Sequence, residues 1–120
     1  MNILIADDEL RLRKVVAMFL RKSGHDVTEV PSGEQALEAL KTGTTDVIIL
    51  DVIMPGIDGI EICRRIKNDP LYKATPVLLL TANVSAEKRA ESVEAGASAY
   101  VTKPFSPKDL LEKIIEVKKI

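Results

Sequence analysis

The 120 residues carry 17 Lys and Arg against 18 Asp and Glu, for a formal net charge of -1, with 46% apolar and 29% charged residues. A chain of that size buries roughly two-thirds of its unfolded surface around one core, so a single domain over residues 1–120 is expected. With no basic excess to neutralise a phosphate backbone, direct nucleic-acid binding is excluded, and with no apolar run of membrane length and no leader pattern, a cytoplasmic location without membrane contact is expected.

The first apolar run, Asn2 to Ala6, reads as a strand and is followed at once by Asp7, Asp8 and Glu9. Leu12, Val15, Val16, Phe19 and Leu20 then recur at helical spacing and give the first helix one apolar stripe. His25 stands alone in the next connection and takes no role. A second strand is expected over Asp26 to Val30, and Ser32, three residues before Gln35, opens the second helix in capping-box spacing. The third run, Asp46 to Leu50, ends against Asp51, and Pro55–Gly56 reads as a tight turn. Cys63, the only cysteine, falls on the apolar side of the third helix and reads as core filler, which excludes an internal disulfide.

The fourth strand, Pro76 to Leu80, runs into Thr81. Ser85 to Ala97 is the fourth helix, with Ala86, Ala90, Val93 and Ala97 as its inward stripe. At about 25 cal/mol per Å2 such a stripe contributes far less than a leucine one, so this helix is expected to be the loosest part of the fold. Ala99 to Val101 forms the last strand and leads into Lys103 and Pro104. Ser106, Pro107 and Asp109 start the final helix, whose stripe is Leu110, Leu111, Ile114 and Ile115.

Strand and helix thus alternate five times. The first, third and fourth strands lack polar alternation, as strands covered on both faces do. Right-handed crossovers then give an α/β fold, a doubly wound five-stranded parallel sheet with five helices. In such sheets ligands bind beyond the carboxyl ends of the strands, so Asp7, Asp8, Glu9, Asp51, Thr81 and Lys103 belong to one reading. Carboxylates brought within 4 Å repel by about 4 kcal/mol per pair at an effective dielectric near 20. A cation must offset this: Lys103 neutralises one carboxylate, and an all-oxygen cluster suits Mg2+, with Mn2+ as a substitute. An aspartate held there can act as a nucleophile toward phosphorus, with Thr81 donating to a phosphoryl oxygen.

The segments ILIADDE, VIILDVIMPGIDG, PVLLLTA and GASAYVTKPF occur in this order, and the chain resembles the receiver domains of two-component response regulators, chemotaxis receivers among them, over its whole length. The resemblance implies a flavodoxin-like sheet of strand order 2-1-3-4-5 and phosphorylation at Asp51. It implies metal binding by Asp7, Asp8, Asp51 and the Ile53 carbonyl, phosphoryl contacts from Thr81 and Lys103, a switch pairing Thr81 with Tyr100, and a cis bond before Pro104. The implied partners are a sensor histidine kinase or phosphotransfer protein as donor and a downstream protein that reads the face of the fourth helix, fifth strand and fifth helix, in a protein that is monomeric before phosphorylation. Apolar Ile53, where a hydrolytic water needs a polar guide, points to a persistent acyl phosphate, and Asn83 is the alternative guide.

Plainer roles stand beside these. Asp8 can cap the first helix and Glu9 is expected to do only that; Thr81 can simply end a strand, Lys103 can be a surface cation, and Tyr100 an edge-strand aromatic. Their joint placement favours the site. A dehalogenase-type phosphatase needs an acid two residues after its nucleophile, and Ile53 stands there. A flavodoxin-type cofactor domain needs a phosphate loop after the first strand, where the acids would repel the ligand. The chain can also be the receiver portion of a longer regulator such as a transcription factor, although Ala99, before the switch aromatic, departs from the Asp of many DNA-binding relatives.

Overall fold

The computed structural model describes residues 1–82 and 85–118. Five strands, β1 (Asn2–Ala6), β2 (Asp26–Val30), β3 (Val47–Asp51), β4 (Val77–Thr81) and β5 (Ala99–Thr102), alternate with α1 (Leu10–Lys22), α2 (Gly33–Leu40), α3 (Gly59–Lys67), α4 (Ala86–Glu94) and α5 (Pro107–Lys118). All strand pairs are parallel and the order is β2-β1-β3-β4-β5. The expected doubly wound sheet is therefore present.

Because side chains alternate across a strand, each central strand feeds two cores. Ile3, Ile5, Val47, Ile49, Leu78 and Leu80 pack with Val16, Leu20, Leu110, Ile114 and Val117 on the α1 and α5 side. Leu4, Ala6, Ile48, Leu50, Val77 and Leu79 pack with Ala36, Leu40, Ile62, Cys63 and Ile66 on the other. Every residue of β3 and β4 is buried, which explains their unbroken apolar sequences. Among the described residues, no helix is long and apolar enough to cross a membrane.

The helix starts follow the cap chemistry. Ser32, Ser85 and Ser106 accept from the amides of Gln35, Lys88 and Asp109 at 3.2, 3.2 and 3.0 Å. Asp58 does the same for Glu61 at 2.9 Å and starts α3.

Three expectations change. The third and fourth strands lie one residue later than their apolar runs, because Val52 N donates to Leu80 O at 2.8 Å and Lys103 N to Thr81 O at 2.8 Å. Asp51 and Thr81 are thus the last residues of strands, held by the sheet itself. The fourth helix ends at Glu94 rather than Ala97. Gly96, at φ 92°, permits a left-handed turn in which Ala97 N reaches Ser92 O at 3.1 Å and Gly96 N reaches Val93 O at 3.0 Å. Its inward residues are also different: Ala86, Ala90 and Val93 are exposed, and within the helix only Ser92 is buried. Ser92 is tolerated there because its hydroxyl donates to Lys88 O at 2.8 Å. The helix is, as expected, the least attached of the five.

Candidate functional site

The carboxyl ends of β1, β3, β4 and β5 meet at one edge of the sheet. Asp7 follows β1 and is fully buried, because its amide still pairs with Val30 O at 3.1 Å and carries the sheet one residue further. Asp51 closes β3 and is 6% exposed. Thr81 closes β4, buried, and Lys103 follows β5. Asp8 is exposed. Asp7, Asp8 and Asp51 each offer an oxygen within 4.8 Å of the others.

Lys103 reaches into this group across the sheet. Its Nζ lies 3.0 Å from Asp51 Oδ2, 3.2 Å from Glu9 Oε2 and 3.5 Å from Asp7 Oδ2. Burial alone would lower the pKa of the ammonium, but Asp51, Asp7 and Glu9 raise it, so it stays charged. The balance is the reverse for Asp51. Burial is the largest influence, and with help from the neighbouring Asp7 it pushes the carboxyl up to about 6 despite the hydrogen bond from Lys103. Three carboxylates therefore share one lysine and Asp8 stands beside them, a surplus of hard oxygen that a divalent ion would neutralise.

The dimensions fit such an ion. Octahedral Mg2+ takes oxygens at 2.0–2.1 Å, which places opposite ligands about 4.2 Å apart. A carboxylate set already within 4.8 Å needs only side-chain adjustment to close on it. Asp7 Oδ1 is preset by the Glu9 amide, which donates to it at 2.9 Å. The Ile53 amide lies 3.4 Å from Asp51 Oδ1, and the Ile53 side chain is 66% exposed beside the cluster.

The ground under Asp51 is tightly built. Gly59 N donates to Val52 O at 2.9 Å, and a Cβ at Gly59 would collide with the Asp51 carbonyl oxygen. The first turn of α3 thus presses on the strand end. Gly56, at φ 79°, makes the Pro55–Gly56 turn between them.

The remaining expected residues fall around this centre. The Lys103–Pro104 bond is cis. Tyr100 is half-buried on the side of the sheet that faces α2, α3 and α4, and the Arg89 guanidinium of α4 stands 5.7 Å from its ring centroid. Asn83 lies outside the described residues. Glu9 departs from its expected role: it occupies the cap position of α1 without making a side-chain cap, and its carboxylate goes to Lys103. The sequence held one usable signal, since the strand-edge reading that placed Lys103 opposite Asp7 and Asp8 covers their neighbour too.

A family model described as the response regulator receiver domain matches residues 3–115. Among curated proteins, the transcriptional regulatory protein ResD of Bacillus subtilis is 38% identical over 94% of this chain and 46% of its own length. The phosphate regulon regulator PhoB of Pseudomonas aeruginosa is likewise 38% identical, over 94% of this chain and 49% of its own. The chain thus spans about half the length of these relatives. Among solved structures, the chemotaxis response regulator CheY4 of Vibrio cholerae superposes with a TM-score of 0.91 at 35% identity, covering 97% of each chain. With the sheet order, the acid cluster and these matches in agreement, the chain belongs to the response regulator receiver domain family, the signalling switches of two-component systems.

Proposed function

We propose that Asp51 is the residue that accepts the phosphoryl group, and that residues 1–120 act as one such unit. The observation that carries this is a nearly buried carboxylate, 6% exposed, that ends a central strand 3.0 Å from the Lys103 ammonium. The donor is a phosphohistidine of a histidine kinase or phosphotransfer protein. Its P–N bond breaks, a P–O bond to Asp51 forms, and the departing imidazole keeps the electron pair and takes a proton from solvent. Asp7, Asp8, Asp51 and the Ile53 carbonyl would hold Mg2+, or Mn2+ in its place, and the bound ion supplies charge neutralisation. Lys103 pairs with the phosphoryl oxygens and Thr81 donates a hydroxyl to one of them. A small acyl phosphate can replace the protein donor, and water on the same site removes the group.

Phosphorylation adds close to two negative charges at pH 7. Thr81 is drawn toward them, Tyr100 moves into the space released, and the weakly anchored α4 shifts, so that the face of α4, β5 and α5 presents a new surface to a downstream protein. Ile53 leaves the approach to Asp51 without a polar guide for water, so the acyl phosphate persists; an Ile53→Asn variant that decays no faster removes that reason.

Intact mass after incubation with a small acyl phosphate, with and without Mg2+, tests the acceptor. The native chain gains one phosphoryl group only with the metal, and Asp51→Asn gains none. Retained labelling of the variant places the acceptor elsewhere. Amide exchange along α4 and β5 that is identical with and without a beryllofluoride mimic overturns the switch.

A second reading is that this receiver forms part of a longer transcriptional regulator, because the curated relatives it matches are regulators of about twice its length. The mass of the endogenous protein decides between them.

A further inference from the structure

Arg13 has no part in the phosphoryl chemistry described above, yet it is one of the most constrained cations in the molecule. It leaves α1 toward the sheet with its side chain only 12% exposed. Its Nη1 donates to the Asp7 carbonyl oxygen at 2.7 Å, and its Nε to Glu29 Oε1 at 3.3 Å. Glu29 is itself pinned on the edge strand β2. Its carboxylate is 8% exposed and also takes Lys14 Nζ at 3.3 Å and Arg21 Nη1 at 3.0 Å.

The geometry matters because of where the sheet stops. Asp7 N makes the last ladder bond to β2, and the chain then turns away through Asp8 and Glu9 into α1. The Asp7 carbonyl lies beyond that bond, and the guanidinium takes it as its acceptor. Holding that oxygen fixes the peptide plane joining Asp7 to Asp8. That plane sets the direction from which both carboxylates reach the point they share with Asp51.

We propose that Arg13 is a positioning residue for the divalent cation: anchored by Glu29, it holds the Asp7–Asp8 peptide so that both acids converge on the ion. The inference rests on the metal reading given above. It concerns neither direct ligation nor the charge of Arg13, and charge gives the test its sign. If only charge counted, removing a cation from behind the cluster would tighten Mg2+ binding, because less positive potential would oppose the ion. If positioning counts, removing it weakens binding, since partners that orient metal ligands typically contribute 10–100-fold in affinity.

The measurement is an amide-resolved NMR titration of the full chain with Mg2+ alone, for the native protein, Arg13→Met, Arg13→Lys, Glu29→Gln and Asp8→Asn. Amide exchange without metal is recorded alongside. Arg13→Met is expected to bind Mg2+ about tenfold more weakly. It should also exchange the Glu9 amide faster, because that amide reports the Asp7 carboxylate it donates to at 2.9 Å. Arg13→Lys, which keeps one donor, recovers most of the affinity, and Glu29→Gln, which keeps the bond to Asp7, lies between.

Unchanged or tighter Mg2+ binding in folded Arg13→Met overturns the proposal, provided Asp8→Asn has lost the ion. If the native chain shows no Mg2+-dependent shift at all, the metal reading falls and this inference falls with it. Should Arg13→Met not fold, Glu29→Gln decides in its place, and native affinity with native Glu9 exchange in that variant overturns the role.

Discussion

Replacing Asp51 with Asn should stabilise the protein, and by an amount that depends on pH. The Asp51 carboxyl titrates at about 6 in the fold against an ordinary value of 3.8, chiefly because burial disfavours its charged form. Each pH unit of such a difference corresponds to about 1.4 kcal/mol, so the charged carboxylate costs the native state about 3 kcal/mol once both forms are ionised. The sign follows from proton binding. The folded state holds this proton more tightly than the unfolded chain does. The contribution of Asp51 to stability is therefore most favourable below pH 3.8, declines as pH rises through about 6, and is flat above.

Asparagine mimics the protonated side chain at every pH, while Lys103 keeps Asp7 and Glu9 as partners. In chelator-containing buffer, urea unfolding followed by far-ultraviolet circular dichroism should give nearly equal midpoints for the two proteins at pH 4. At pH 7.5 the variant's midpoint should lie higher by about 1–3 M, given slopes of about 1–3 kcal/mol per molar urea. The chain has no tryptophan, so indole emission cannot substitute. Magnesium at 100 times its dissociation constant should return about 2.7 kcal/mol to the native protein and narrow the gap. Equal midpoints at both pH values, or a more stable native protein at pH 7.5, would refute the electrostatic account of the site.

Three further outcomes are expected. Gly59→Ala should destabilise the fold by about 1–3 kcal/mol, since its methyl group meets the Asp51 carbonyl, and should slow phosphorylation as well; a variant with native melting behaviour refutes the close packing of α3 on β3. Glu9→Gln should accept a small anionic phosphodonor faster, with the gain shrinking as salt is raised, because one negative charge facing the donor is gone and Lys103 is released from it; a slower, salt-independent rate would assign Glu9 another role. Cys63, fully buried and with its thiol pushed up to about 11 by that burial, should resist maleimide at pH 7 in the native protein and react on unfolding, and rapid native labelling would contradict its packing against Ala95 just past α4.

The fold was legible from the strands because β1 from Ile3 on, and β3 and β4 throughout, are covered on both sides and have no polar residue until they end. The acidic centre was legible for a related reason: a parallel sheet collects whatever follows its strands, so Asp7, Asp51, Thr81 and Lys103 were placed by topology before any distance was known. What failed to show was tertiary in origin. Glu9 sits 94 positions before the lysine it pairs with, and no local periodicity records such a bond. Nothing in the sequence singles out Arg13, because its acceptor is a carbonyl, which every residue has. The inward side of α4 was misread because its buried position is a serine whose hydroxyl is satisfied within the helix, while its apolar Val93 is 72% exposed.

With Ser92 alone buried along α4, exposed side chains such as Ala86, Ala90 and Val93 can change without opening a void. If a downstream protein reads this helix, as proposed above, its recognition changes there while the aliphatic layer under α1 and α5 keeps the acid pocket in register.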